Sequence, residues 1–150
     1  MTNPITTNQT LTSRAIALRW ATEGFRNRQL RNQLMADNYC CHAFGCETIA
    51  GKDSVNRFVD ETLFLGLPDV EQIVEDVIPW DDKVALRLTY RGTHTGPFMG
   101  VPPTHRQISV SANMILRIED GQVTEEWTES NPLTWMAQLG VTQWIPMLSH

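Results

Sequence analysis

A carboxylate and an amide two residues apart, Glu129 and Asn131, close the last strand-like run of the chain. Two histidines, His94 and His42, offer groups able to take up or release a proton near neutral pH. A carboxylate carried into an apolar pocket is costly to ionise, so its hold on a proton strengthens and it becomes a usable acid or base. An amide such as Asn131 can hold a carbonyl or hydroxyl oxygen without changing charge. The pattern points to acid–base chemistry on a small molecule, with Glu129 moving the proton, His94 and His42 assisting and Asn131 orienting an oxygen. Each residue also has a purely structural reading. Glu129 can pair at a rim with Arg87 or Arg91, Asn131 can cap a helix opened by Pro132, and His94 can sit solvated in a glycine-rich hairpin.

Those side chains need a scaffold. Val84 to Tyr90 and Ile108 to Ile118 read as strands, joined by a long loop, Arg91 to Thr104, that carries three glycines, three prolines and His94. Asp81-Asp82 and Glu119-Asp120-Gly121 read as hairpin turns, and residues 122–129 form the final strand. Period-two counting puts Leu86, Leu88 and Tyr90 on one face, opposite Arg87, Thr89 and Arg91. Val110, Ala112, Met114 and Leu116 share a face of the next strand. On the last, Val123, Glu125, Trp127, Glu129 and Asn131 fall together, and this set is expected to face inward. Tyr39, Cys41 and Ala43 lie on one side of an earlier strand-like stretch, opposite Cys40, His42 and Phe44.

Helical spacing precedes the strands. Ile16, Trp20 and Phe25 mark a first helix capped by Thr10 or Thr12, after a loose tail over residues 1–9. Shorter helices are expected around Gln29 to Met35 and from Asp53 to Gly66, and a last one from Pro132 to Leu139. Helices first and a meander of strands after them define an α+β domain, with helices laid against the hollow side of a curled sheet. At 150 residues the chain is read as one domain, with 141–150 as a C-terminal extension.

Twelve basic and seventeen acidic residues give a net charge of −5, with no Lys/Arg run, which argues against nucleic acid. No apolar run is long enough to cross a membrane and the N-terminus is polar, so no membrane association and a cytoplasmic location are expected. Three cysteines, Cys40, Cys41 and Cys46, make a closed disulfide framework improbable. With His42 they form a Cys-Cys-His-x3-Cys pattern, but the paired Cys-x2-Cys spacing of metal sites is missing. They are read as small apolar filler, with no metal.

The segment Gly92-Thr93-His94-Thr95-Gly96-x-Phe98-Met99-Gly100-Val101-Pro102-Pro103-Thr104 resembles the loop of SnoaL-like polyketide cyclases and related ester cyclases. Ile115-Leu116-Arg117-Ile118-Glu119-Asp120-Gly121-Gln122-Val123-x-Glu125-x-Trp127 and Gln138-Leu139-Gly140 resemble further motifs of that family; Asn38-Tyr39-x2-His42 and Gly51-Lys52-Asp53 are weaker echoes. The similarity runs from about residue 14 to 141, in order. It implies a cone-shaped sheet of the nuclear-transport-factor-two-like kind, a deep pocket, a homodimer and chemistry without metal or organic cofactor. Better-known members close polyketide rings by intramolecular aldol condensation, using an acidic pocket residue. Relatives catalyse isomerisation, hydroxylation or, as in limonene epoxide hydrolase, water addition.

The family's acid commonly stands four residues after the tryptophan of the last strand, where this chain has Asn131. An amide cannot relay a proton as a carboxylate does, so either Glu129 takes the proton-transfer role, or a histidine does, or the chain does not perform the cyclase reaction. The arginine–aspartate pair of the epoxide hydrolases is replaced by Leu88 and Tyr90, which argues against that reaction. The resulting expectation is a cofactor-independent enzyme that cyclises or isomerises a hydrophobic carbonyl compound. Leu88, Tyr90, Met114 and Trp127 would form the pocket walls, with Phe98 and Trp20 as further substrate contacts. The alternatives are a binding or assembly module that kept the pocket, and a cofactor-free hydroxylase or hydration enzyme.

Overall fold

The computed structural model describes residues 4–43 and 47–141. Helices α1 (Pro4–Ala21), α2 (Glu23–Arg26) and α3 (Arg28–Leu34) lead into β1 (Met35–Ala43) and the short β2 (Ile49–Ala50). Helix α4 (Lys52–Val59) continues through a π-helical turn, Asp60–Phe64, to the meander β3 (Glu71–Trp80), β4 (Lys83–Thr93), β5 (Gln107–Glu119) and β6 (Gln122–Ser130), and α5 (Pro132–Gln138) follows. The first helix begins at Pro4, ahead of both the tail boundary and the threonine caps read from the sequence. Proline at a helix start has φ already set and loses no hydrogen bond. The expected tail before Pro4 and the extension beyond 141, like Phe44 and Cys46, lie outside the described residues.

The six strands form one open, mixed sheet in the order β2-β1-β6-β5-β4-β3. Every pairing is antiparallel except β1 with β6, which is parallel. Helices cover one face. Ala17, Trp20 and Ala21 of α1 are buried, as are Leu86 and Leu88 of β4 and Val110, Met114 and Leu116 of β5. On β4 and β5 the inward and outward sets alternate as the period-two reading expects, because both strands pair without interruption from Lys83↔Arg117 to Thr93↔Gln107. Pro79 stands on β3, the sheet edge, where a missing N–H costs no central ladder bond.

The final strand departs from that reading. Arg117 pairs with Glu125 but Ile118 pairs with Val123, so β6 carries one extra residue, Thr124, as a β-bulge. The bulge reverses the parity of everything after it. Val123 points inward as expected; beyond it Glu126 and Thr128 are buried, whereas Glu125 and Trp127 are only half-buried and Glu129 is exposed.

The loop after the π-helical turn is fastened to the end of β4 by Asp69. Its carboxylate accepts hydrogen bonds from the Thr93 backbone N–H and hydroxyl, each at 2.7 Å. These bonds favour the charged form and hold the Asp69 carboxyl below its ordinary range. A lowered native pKa means that the stabilisation is complete above the unfolded-state value of about 3.9 and is lost as pH falls through the lower native value. Asp69→Asn is therefore expected to flatten the acid limb of the Tm–pH curve below about pH 4, leaving Tm near pH 7 less pH-dependent than the curve below it. A limb of unchanged steepness in the variant would remove this contribution.

No helix among the described residues is long and apolar enough to cross a membrane.

Candidate active site

Between helices and sheet lies a cavity of about 570 Å³, within the range of small-molecule sites. Its walls are largely apolar. Trp20 comes from α1, Val55 from α4, Tyr90 from β4, Met114 from β5 and Trp135 from α5, with Phe98 from the long loop. Tyr39 packs on Trp20 with ring centroids 5.4 Å apart, and Trp135 packs on Phe98 at 5.3 Å and on Tyr90 at 6.1 Å. The expected contacts Trp20, Tyr90, Met114 and Phe98 all lie on this cavity.

The polar centre of the cavity is Glu126. Its Oε2 accepts a hydrogen bond from the Tyr39 hydroxyl at 2.8 Å and its Oε1 one from the Thr128 hydroxyl at 2.7 Å. The Cys41 thiol also points at Oε1, 4.0 Å away. Glu126, Tyr39, Thr128 and Cys41 all line the cavity. A hydroxyl donor on each oxygen fixes the carboxylate and still leaves it a lone pair to offer a substrate. Burial raises the pKa of Tyr39, and the neighbouring Glu126 charge raises it further. Tyr90 is raised for the same two reasons, burial first. Both phenols keep their protons, and that of Tyr39 is donated to Glu126.

A buried cation stands behind this group. Arg31, on α3, lines the cavity and is almost fully buried. Its Nε and Nη2 donate to Asn56 Oδ1 at 2.9 and 2.7 Å, and its Nη1 donates to the carbonyls of Phe25 and Gly24 at 2.7 and 3.2 Å. Burial lowers the Arg31 pKa, and the charges of Asp60 and Glu126 act against that. Five N–H groups in a rigid fork let one side chain bind three acceptors at once.

The long loop forms one edge of the cavity. Thr95 and Gly96 N–H groups both donate to the Gly66 carbonyl at 3.1 Å, and a Cβ at Gly96 would overlap the Leu65 carbonyl oxygen. Phe98 and Val101 bond each other across Met99-Gly100, whose φ angles of 51° and 76° make a tight turn of the primed kind. This turn sets Phe98 and Met99 on the cavity wall.

The catalytic set read from the sequence is not brought together. Glu129 is exposed on the outer face, the consequence of the bulge at Thr124. Trp127 also points outward, stacked on His42 at 5.5 Å with 13° between the rings. His42 sits on that outer face, half-buried and 2.9 Å from Glu125. Asn131 is the N-cap of α5, its Oδ1 accepting from the Leu133 N–H at 3.0 Å. Leu88 is fully buried beneath the helices and is not among the cavity-lining residues. His94 is buried and braces the loop: its Nδ1 accepts from the Thr104 N–H at 3.2 Å and lies 2.9 Å from the Thr104 hydroxyl. It too lies off the cavity wall.

Glu126, Thr128 and Arg31 line the cavity instead. The alternation of β1 placed Tyr39 and Cys41 on one side, and the structure turns that side inward. The adjacent carboxylates Glu125-Glu126 held a signal too, since one of two neighbours on a strand must point inward whatever the phase.

A family model described as SnoaL-like polyketide cyclase matches residues 15–139. No curated protein matches the sequence. Among solved structures, a candidate SnoaL-like polyketide cyclase from Jannaschia sp. CCS1 is 26% identical, with a TM-score of 0.80 over 93% of this chain and 96% of that one. IdmH from Streptomyces antibioticus, described as a candidate polyketide cyclase, is 29% identical, with a TM-score of 0.70 over 86% of this chain and 99% of that one. AclR from Streptomyces galilaeus, described as a candidate hydroxylase, shares the fold at 24% identity, with a TM-score of 0.77 over 88% and 87% of the two chains.

Proposed function

Because the chain belongs to the SnoaL-like polyketide cyclase family, we propose that it is a cofactor-independent enzyme closing or isomerising a hydrophobic, carbonyl-bearing substrate, with Glu126 as the acid–base group. The observation that carries this reading is a buried carboxylate, hydrogen-bonded on both oxygens, inside a cavity whose other walls are mostly apolar. Glu126 would take a proton from the carbon beside a substrate carbonyl, sending the C–H electron pair to the carbonyl oxygen as an enolate. The protonated phenol of Tyr90, near enough to feel the charge of Glu126, is the donor best suited to that oxygen. In a ring closure the enolate carbon then bonds a second carbonyl carbon of the same molecule, and the new alkoxide recovers the proton from Glu126. In an isomerisation the proton returns to a different carbon. Trp20, Phe98 and Trp135 would exclude water and hold the rings.

Incubation in deuterated water with a bicyclic aryl ketone of cavity size tests the proton transfer apart from the natural substrate. The protein should exchange the protons beside the carbonyl faster than buffer does, as read by NMR. Saturable binding without any exchange above the buffer rate would make it a binding module instead.

We also read the molecule as a homodimer joined through the outer face of the sheet. Ile78, Trp80 and Ile115 stand there 62%, 82% and 40% exposed, more apolar surface than an isolated sheet face usually leaves to water. Trp80→Glu should shift the sedimentation coefficient from dimer to monomer; an unchanged coefficient would take the interface elsewhere. We place it in the cytoplasm, where a reducing environment suits the half-buried thiol of Cys40.

A further inference from the structure

On the face of the sheet opposite the cavity, three side chains with different ligand chemistry converge. Cys40 and His42 are two residues apart on β1, and Glu125 stands beside Cys40 on β6. Cys40 Sγ is 3.8 Å from His42 Nε2, and the same nitrogen is 2.9 Å from Glu125 Oε1. The three ligand atoms all lie within 4.8 Å of one another, and all three residues are half-buried. We propose that Cys40, His42 and Glu125 form a binding site for one zinc-like divalent cation, bridging β1 to β6.

The geometry favours an ion over an ordinary His–Glu pair. His42 Nδ1 lies 2.9 Å from the Thr48 hydroxyl, which fixes the ring and can accept the Nδ1 proton. Nε2 is then left with its lone pair, turned towards a thiol and a carboxylate. A hydrogen bond from the imidazole engages one of these groups, whereas a cation engages all three at once. Bonds of about 2.3 Å to sulfur, 2.0 Å to nitrogen and 2.1 Å to oxygen place tetrahedral ligand atoms roughly 3.3–3.6 Å apart. That spacing lies between the two distances in the cluster, so small side-chain rotations would suffice. The donor set of one thiolate, one imidazole and one carboxylate selects zinc and its neighbours over magnesium or calcium.

Surrounding contacts resemble the supporting shell of a metal site. Thr48 orients the imidazole, Trp127 covers one ring face, and Arg117 Nη1 holds Glu125 Oε2 at 2.5 Å. The Arg117 charge, which would oppose a cation, is answered in part by Asp82 Oδ2 at 3.3 Å from its Nε. Three protein ligands leave a fourth position for water. The Cys-Cys-His-x3-Cys pattern did not reveal this set, because Cys41 points to the other face and the third ligand comes from a strand more than eighty residues away. The site is independent of the cavity chemistry.

Cobalt(II) titration of the reduced, metal-stripped full chain tests the proposal. One equivalent should bind, with the charge-transfer band of a thiolate ligand and the visible bands of a tetrahedral ion. Zinc should displace it and raise Tm, as a ligand bound only by the folded state must. Cys40→Ser and His42→Ala should each abolish the thiolate band or weaken binding at least about 100-fold, and Thr48→Val should weaken it about 10–100-fold, with circular dichroism unchanged. Cys41→Ser should bind as the parent does, since that thiol points to the other face. A thiolate band that persists in Cys40→Ser, binding there as tight as in the parent, or a parent protein with no thiolate band and no zinc-dependent Tm, would overturn the site. If a variant is unfolded, His42→Gln, which keeps the polar size of the ring, decides by the same two readouts.

Discussion

Replacing Glu126 by Gln is expected to lower kcat by about 10²–10⁴-fold, the usual worth of a positioned general acid–base group. The change is close to isosteric. Its oxygen still accepts one hydrogen bond, and its amide can donate to the second hydroxyl, since the hydroxyls of Tyr39 and Thr128 rotate to accept as readily as to donate. The fold should therefore persist and the cavity keep its shape. KM should change far less than kcat, because the lost interaction is one made with the transferring proton and not with the resting substrate. Glu126→Ala is a poorer probe. It strands the buried Tyr39 hydroxyl, at a cost of about 1–3 kcal/mol, and confounds stability with chemistry. Glu129→Gln is the informative control: its side chain is in solvent on the other face, so turnover should stay within about twofold of the parent. Steady-state assays on the purified variants read all of this. A Glu126→Gln enzyme of full activity would move the proton-transfer role to another residue.

Arg31→Leu is expected to be the most damaging single change to stability, on the order of 3 kcal/mol. It removes the buried donors for Asn56 Oδ1 and for the carbonyls of Gly24 and Phe25. Asn56 is itself tied to Asn32, through Nδ2 to Oδ1 at 2.6 Å, so the loss spreads along the seam between α3 and α4. For a chain of this length 3 kcal/mol corresponds to a fall in Tm of roughly 6–12 °C. Urea denaturation should show a lower midpoint with an unchanged slope, the mark of altered stability without altered unfolding area. Arg31→Lys should recover only part, because a single ammonium cannot reach three acceptors held by a planar fork. Arg31→Leu combined with Asn56→Leu should be less harmful than the two single effects summed, since removing both partners leaves fewer stranded groups. Additivity in that cycle would mean that the two residues act separately.

The two predictions rest on groups that sequence reading located unequally. That Tyr39 and Cys41 share a side was legible, because strand alternation is a local property and β1 obeys it over that stretch; that this side, and not that of His42, faces the cavity was not. Arg31 was not singled out. An arginine in a short, polar helix looks like surface, and only the approach of α4 turns its position into the interior. Asn131 was readable as a cap from Asn-Pro alone, and the structure gives it that role.

What the sequence determined by itself was the order of elements, the α+β class, the inward faces of β4 and β5 and, through its motifs, the family. These follow from periodicities and turn residues that act over a few neighbours. What tertiary structure decided was which carboxylate enters the cavity. One extra residue at Thr124 shifts β6 by a single place, and since successive side chains point to opposite faces, that step exchanges Glu129 for Glu126. Local sequence is nearly silent on such a step, because Thr124, Glu125 and Glu126 are all polar and either phase satisfies the strand on its own. The choice is made by the burial of Val123 ahead of the bulge and of Glu126 and Thr128 beyond it, by the pairing of β6 with β5 and β1, and by the Tyr39 hydroxyl that meets the carboxylate inside.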